Sequence, residues 1–101
     1  MIIYNVTTKV DHSITDAWLQ WMREKHIPEV IATGCFHHAV ILRLIETDDT
    51  EGKTYAVQYH AASKSLYNRY IEQHAAVLRK AVLDKWSNKI IAFNSVLEVV
   101  N

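Results

Sequence analysis

"ILRLIETDDTEGKTYAVQYHA", residues 41–61, decides the fold. Its middle, Thr47 to Lys53, is polar and contains Gly52, while β-branched and aromatic residues crowd both flanks. That pattern predicts strands over 35–46 and 53–61 joined as a hairpin. What lies before and after this hairpin places the rest of the chain.

Toward the N-terminus, residues 1–10 are β-branched and aromatic and predict a first strand. "DHSITDAW" (11–18) then supplies a helix start, with Ser13 as N-cap and Asp16 three residues on, an acidic variant of the capping box. Ile14, Ala17, Trp18, Trp21 and Met22 recur at helical spacing and make one apolar face. Pro28 has no N–H and crowds the preceding turn, so the helix should kink or end near His26, with Pro28 opening a short second piece. Gly34 suits a left-handed cap. Toward the C-terminus, Ser63 is a cap for a helix over about 64–83, whose stripe includes Leu66, Tyr67, Tyr70, Ile71, His74 and Leu78, and residues 90–100 form a last strand. The order is β-α-β-β-α-β. Because crossovers between parallel strands are right-handed, it implies an α+β, ferredoxin-like fold: an antiparallel four-stranded sheet with two helices on one face.

At 101 residues the chain is expected to be one domain, 1–101. Eleven basic and eleven acidic side chains cancel, without a same-sign block. A nucleic-acid or anionic-membrane binder needs a basic stripe, so neither partner is expected. One cysteine, Cys35, allows neither an internal disulfide nor a cysteine-based metal motif. The apolar start lacks the basic flank of a signal peptide, and no run is long enough to span a membrane. A cytoplasmic protein is expected.

A sheet with helices on one face normally turns polar residues to water on the other. Here both alternating sets are apolar. In the last strand Ile91, Phe93, Leu97 and Val99 are assigned to the helix side, yet Ile90, Ala92, Val96 and Val100 remain for the opposite one. In the second strand Val40, Leu42 and Leu44 oppose Ala39, Ile41 and Ile45. Two helices cannot cover both faces, which predicts a homodimer with its sheets face to face. Polar residues interrupt that second face. Placing Tyr55, Val57 and Tyr59 toward the helices leaves Thr54, Gln58 and His60 facing away, joined by Asn5 of the first strand and Asn94 of the last. Asn5, Gln58, His60 and Asn94 are therefore the expected ligand-binding set, in a cavity with apolar walls; a wet interface would use the same residues to bond one another and water.

The element order and paired sheets resemble the dimeric α/β-barrel superfamily, whose members include cofactor-free monooxygenases, dehydratases, haem-degrading enzymes and small-molecule sensors. More closely, "MIIYNVTTKVD", "WLQWMREKHIPEVIATGCF", "TYAVQYHA" and "AFNSVLEVV" together resemble a bacterial family of about a hundred residues known only as a domain of unknown function. The resemblance covers essentially the whole chain and implies fold, not activity. Several superfamily enzymes are similar in placing a histidine at the end of the first helix, followed by a proline and a glycine; here these are His26, Pro28 and Gly34. The haem-degrading branch is similar in its first-strand asparagine and second-helix histidine, which Asn5 and His74 would match, but Leu66 and Tyr67 stand where that branch carries a tryptophan.

His26 is the catalytic candidate, because imidazole titrates near neutrality and can act as acid or base, with Glu29 one turn on to orient it. The plainer account makes His26 a helix-end donor to carbonyls freed by Pro28. His74, in the stripe of the second helix, is a ligand-binding candidate or a packed core histidine. His37 and His38 are adjacent on a strand and should point to opposite faces. Without HxxxH or HExxH spacing, no metal is expected, and no cofactor is implied. Trp18 and Trp21 are core residues, and Glu72, Arg79 and Lys80 a solvated face. The expectation is a small dimeric protein that binds a small, mostly apolar molecule, its mechanism, if it is an enzyme, being cofactor-free and monooxygenase- or dehydratase-like. A non-catalytic dimerisation or regulatory module, and then a haem-binding protein, are the alternatives.

Overall fold

A computed structural model describes all residues, 1–101. The strands are β1 (Ile2–Asp11), β2 (His38–Arg43), β3 (Gly52–Ala61) and β4 (Ile90–Glu98). The helices are α1 (Thr15–Trp21), α2 (Ile27–Ala32), α3 (Lys64–Gln73) and α4 (Ala75–Trp86). The sheet runs β2-β3-β1-β4 and is antiparallel throughout, as the β-α-β-β-α-β order requires.

Both expected helices are interrupted. The first is entered through a tight turn, His12–Ile14, capped by Asp11 rather than Ser13: the Asp11 carboxylate accepts from the Ser13 N–H at 2.8 Å and its hydroxyl at 2.6 Å. An Asp two residues ahead competes better for those donors than the Ser hydroxyl does, since its acceptor is charged. Between α1 and α2, residues Met22–His26 wind as one wide π turn, and the Ile27 N–H reaches back five residues to the Met22 carbonyl. Pro28 falls at the start of α2 as expected, and the wide turn accommodates its ring, which would crowd the carbonyl four residues earlier in a regular helix. Gly34 closes α2 in the left-handed region (φ +78°). Ser63 caps α3 by accepting from the Leu66 N–H at 3.3 Å. The stripe read as one helix breaks at His74 (φ −128°, ψ −32°), where α4 begins.

Register fixes the faces. Val6 of β1 pairs with Val57 of β3 and Asn94 of β4, so Tyr4, Val6, Thr8, Tyr59, Val57, Ala92 and Asn94 share the helix side. The core lies there, with Trp18, Tyr59, Val10, Val30 and Val57 fully buried. Each such side chain contributes roughly 1.5–3 kcal/mol by leaving water. The opposite, open face carries Ile3, Asn5 and Thr7 from β1, Ala56, Gln58 and His60 from β3, and Val40 and Leu42 from β2.

The last strand is reversed from expectation. Ile91, Phe93 and Leu97 lie on the open face, Ile91 being 70% and Phe93 63% exposed, while Ile90, Ala92 and Asn94 look toward the helices. Hydrophobicity could not choose between two apolar sets; pairing with β1 does. Val40 and Leu42 continue the apolar open face across the sheet. No helix of the chain is long and apolar enough to cross a membrane.

Candidate functional site

On the helix side a cavity of about 200 Å³ opens between α4 and the sheet. Tyr4, Trp18, Tyr59 and Tyr70 give it aromatic walls, and Met22, Val57 and Val82 complete an apolar interior. Its polar groups are few: Thr8, His26, Arg79, Asn94 and the tyrosine hydroxyls. Arg79 and Leu83 of α4 and Ala92 and Asn94 of β4 are exposed residues of the lining, so the mouth lies between that helix and the edge strand. Mostly apolar concavity with a small convergent polar set is the usual form of a small-ligand site.

The wide turn delivers His26 to this cavity. The residue is 8% exposed, and its ring stacks on Trp21 with centroids 5.0 Å apart and planes 16° apart. Trp21 in turn meets the edge of Trp86 at 5.8 Å. The His26 Nδ1 atom is buried without a hydrogen-bond partner. The far end of α2 is closed by the Thr33 hydroxyl, which donates to the Val30 carbonyl at 2.7 Å, and by the Gly34 N–H, which donates to the Ile31 carbonyl at 3.0 Å. Glu29 does not hold the ring, since it pairs with Lys25 at 3.0 Å. Burial pushes the imidazole below its ordinary pKa, the negative charge of Glu29 offsetting only part of the effect. Near neutrality His26 is thus an uncharged imidazole in an apolar wall. A second polar atom, Trp18 Nε1, is also buried at the cavity without a partner.

The expected ligand set does not assemble. Asn5, Gln58 and His60 share the open face, whereas Asn94 lies on the helix side and lines the cavity with His26. Placing Asn94 with the other three followed from the reversed reading of the last strand. Asn5 donates to Thr7 Oγ1 at 3.0 Å and to Ser95 Oγ at 3.3 Å, a polar bridge across β1 and β4. His60 sits beside His38 (5.2 Å between centroids) and His37 (6.3 Å); His37 precedes β2, so strand alternation does not hold it on the opposite side. Burial, and then the neighbouring His38 and His37, lower the His60 pKa. His74 stands at the α3–α4 break, outside the cavity lining, and the sheet separates it from Asn5. The Asn5–His74 pair of the haem-degrading branch is therefore not formed. No cluster of three or more His, Cys, Asp or Glu side chains has a geometry that would hold a metal ion.

Sequence reasoning missed Arg79 and the tyrosines. Arg79 donates from Nη2 (2.9 Å) and Nε (3.3 Å) to the Tyr4 hydroxyl, which ties α4 to the central strand across the cavity. Period-two alternation through Tyr4, Val6 and Thr8 was the available signal for the tyrosine wall; nothing local distinguishes Arg79 from a solvated charge. Tyr59 and Tyr70 are held well above the ordinary phenol pKa first by burial and then by neighbouring tyrosines, Tyr70 and Tyr4 for Tyr59 and Tyr4 for Tyr70, so they remain hydrogen-bond donors.

Solved structures share the whole architecture at low identity. SnoaB, a cofactor-independent oxygenase from Streptomyces nogalater, superposes with a TM-score of 0.70 at 10% identity, covering 99% of this chain and 94% of that one. An EthD family protein from Bacillus halodurans gives 0.67 at 12%, over 99% and 100% of the two chains. A dimeric ferredoxin-like protein from an uncultured marine organism gives 0.66 at 14%, over 99% and 95%. At these identities the likeness shows the fold alone. No curated protein matches the sequence. Residues 1–100 match the family model described as Domain of unknown function (DUF4286).

Proposed function

The chain belongs to the DUF4286 family, and from that membership, which brings a common domain but no reaction, we propose a homodimeric small-molecule enzyme built as one domain over residues 1–101. Its ligand is small and mostly apolar, it occupies the cavity under α4, and His26 moves a proton there. One observation carries the reading: a buried, unbonded imidazole nitrogen belongs to a residue that lines an otherwise apolar, aromatic cavity. A neutral imidazole can take a proton from an acidic C–H or O–H of the ligand. The bond breaks, its electron pair stays on the ligand as an enolate or phenolate, and His26 becomes imidazolium until the proton is returned. Arg79 and the tyrosine hydroxyls suit the negative oxygen. A dehydratase-like outcome also breaks a C–O bond next to the deprotonated carbon, His26 returning its proton to the departing hydroxide, which leaves as water; a monooxygenase-like one needs dioxygen as co-reactant, which the ligand's own electrons reduce, one oxygen atom entering the product and the other leaving as water. The fold-level likeness to a cofactor-independent oxygenase agrees with the proposal and does not carry it.

The homodimer is supported by the apolar open face of Ile3, Val40, Leu42, Ile91, Phe93 and Leu97, and a dimeric ferredoxin-like protein has the same fold. That face also favours a second reading, a non-catalytic dimerisation or regulatory module. A fragment screen followed by NMR separates them. Small aromatic and aliphatic molecules are expected to move the Trp18 indole N–H and His26 ring signals. If no fragment moves either signal while the protein stays folded, the cavity reading is overturned and the dimerisation module stands.

A further inference from the structure

We propose that the ligand is a planar monoanion of one or two rings, whose carboxylate or enolate oxygen is held by Arg79 at the mouth while the ring lies among Tyr4, Trp18 and Tyr70. The inference rests on the reading of the cavity as a ligand site and deepens it.

Arg79 carries the argument. It is the only Lys, Arg, Asp or Glu in the lining, and no carboxylate of the chain pairs with it. An exposed arginine is free to wander, but this one is fixed by two donations to the Tyr4 hydroxyl and by its position over the Tyr4 ring, 5.8 Å from the centroid. Those bonds use two of the five N–H donors of a guanidinium, leaving the remainder, with the whole charge, beside the cavity. A fixed, unpaired, planar cation at the edge of an aromatic space matches an oxyanion on a flat ring better than a neutral alcohol or a polyanion. One such group favours one charge.

Volume and shape limit the remainder. A cavity of roughly 150 Å³ lined by apolar side chains suffices for benzene, so about 200 Å³ here admits a single ring with substituents, and a second ring only by projecting through the mouth. The neighbouring tyrosines, Tyr4 with Tyr70 at 5.6 Å and with Tyr59 at 5.9 Å, present faces and edges suited to a flat partner rather than a flexible chain. His26, on the same lining, stays neutral and does not compete with Arg79 for the charge.

The test compares acids with their neutral amides: benzoate and 2-naphthoate against benzamide and 2-naphthamide, titrated into the full-length protein and into Arg79→Gln and Arg79→Lys by calorimetry and NMR. The acids are expected to bind about 10-fold or more tightly than the amides, the margin typical of one charge-assisted bond. That preference disappears in Arg79→Gln and partly returns in Arg79→Lys, while the amides still shift the Trp18 and His26 signals of both variants, which shows the cavity open. Acids and amides binding alike to the unaltered protein would overturn the anion assignment and leave the cavity as a ligand site. No probe shifting the Trp18 or His26 signals would overturn both.

Discussion

Trp21 and His26 lie five residues apart and their rings stack, centroids 5.0 Å apart and planes 16° apart. Residues so spaced on a regular α-helix point about 140° away from each other. The stack exists because Met22–His26 wind as a π turn. Replacing Trp21 by alanine should therefore destabilise the fold by roughly 2–4 kcal/mol, the scale of removing a large packed aromatic, and should let water reach the imidazole. Urea denaturation measures the first effect. NMR titration measures the second, with the His26 pKa rising toward its ordinary value; an unchanged pKa would mean that Trp21 is not what keeps the ring dry.

Stability should fall as the solution is acidified through the imidazole range. His26 is held below its ordinary pKa of 6.5 by burial, so the unfolded chain takes up a proton at a pH where the native protein still refuses it. The penalty is absent above that value, begins as pH drops below about 6.5, and grows until the native residue also protonates. His60, lowered in the same direction, adds to it. His26→Gln should flatten part of the pH dependence of the urea midpoint between neutral and mildly acid solution. An identical profile for variant and parent would show that His26 is not responsible.

Phe93 and Ile91 should decide the oligomeric state. Both are large and exposed on the open face, where no element of the same chain covers them. Phe93→Glu is expected to convert the protein to monomers at micromolar concentration, read by light scattering, with circular dichroism little changed. Val77→Glu on α4, also exposed but on the helix layer, is the control and should leave the dimer intact. A parent protein that is itself monomeric at that concentration would end the dimer proposal.

Gly52 is required by close approach rather than by flexibility. A Cβ placed there would run into the Val10 carbonyl oxygen, a backbone atom that cannot rotate aside. Gly52→Ala should cost about 1–3 kcal/mol, in the range of overpacked sites, and loosen the start of β3 against β1. Hydrogen exchange of the amides from Lys53 to Tyr55 should report the loosening.

What the sequence disclosed was local. The hairpin, the break before Pro28, the left-handed Gly34 and the Ser63 cap each depend on a few neighbouring residues, and each lies close to where it is read. The fold followed from these features, and the family from the likeness of four stretches spread along the chain. Properties set by distant pairing were not legible. Ile91 and Phe93 were turned the wrong way because both sides of β4 are apolar, and only register with β1 distinguishes them. Asn94 was displaced from the cavity by that same error. The break at His74 interrupts a stripe without Gly or Pro to announce it. Arg79 appears in sequence as one more charge on a helix, and its meaning depends on a hydroxyl 75 residues away.

The π turn also imposes a count. A turn of this kind is an α-helix with a residue to spare, so the segment from Met22 to His26 ties chain length to orientation. Exchanging side chains there leaves the winding intact, but deleting a single residue would return the segment to α-helical winding. Everything N-terminal of it would then rotate by about 100° relative to α2. Trp18 would swing out of the core in which it is now 1% exposed, or His26 would swing out of the cavity. Tolerance of substitution without tolerance of deletion is the mark this segment should leave on any collection of natural or engineered variants.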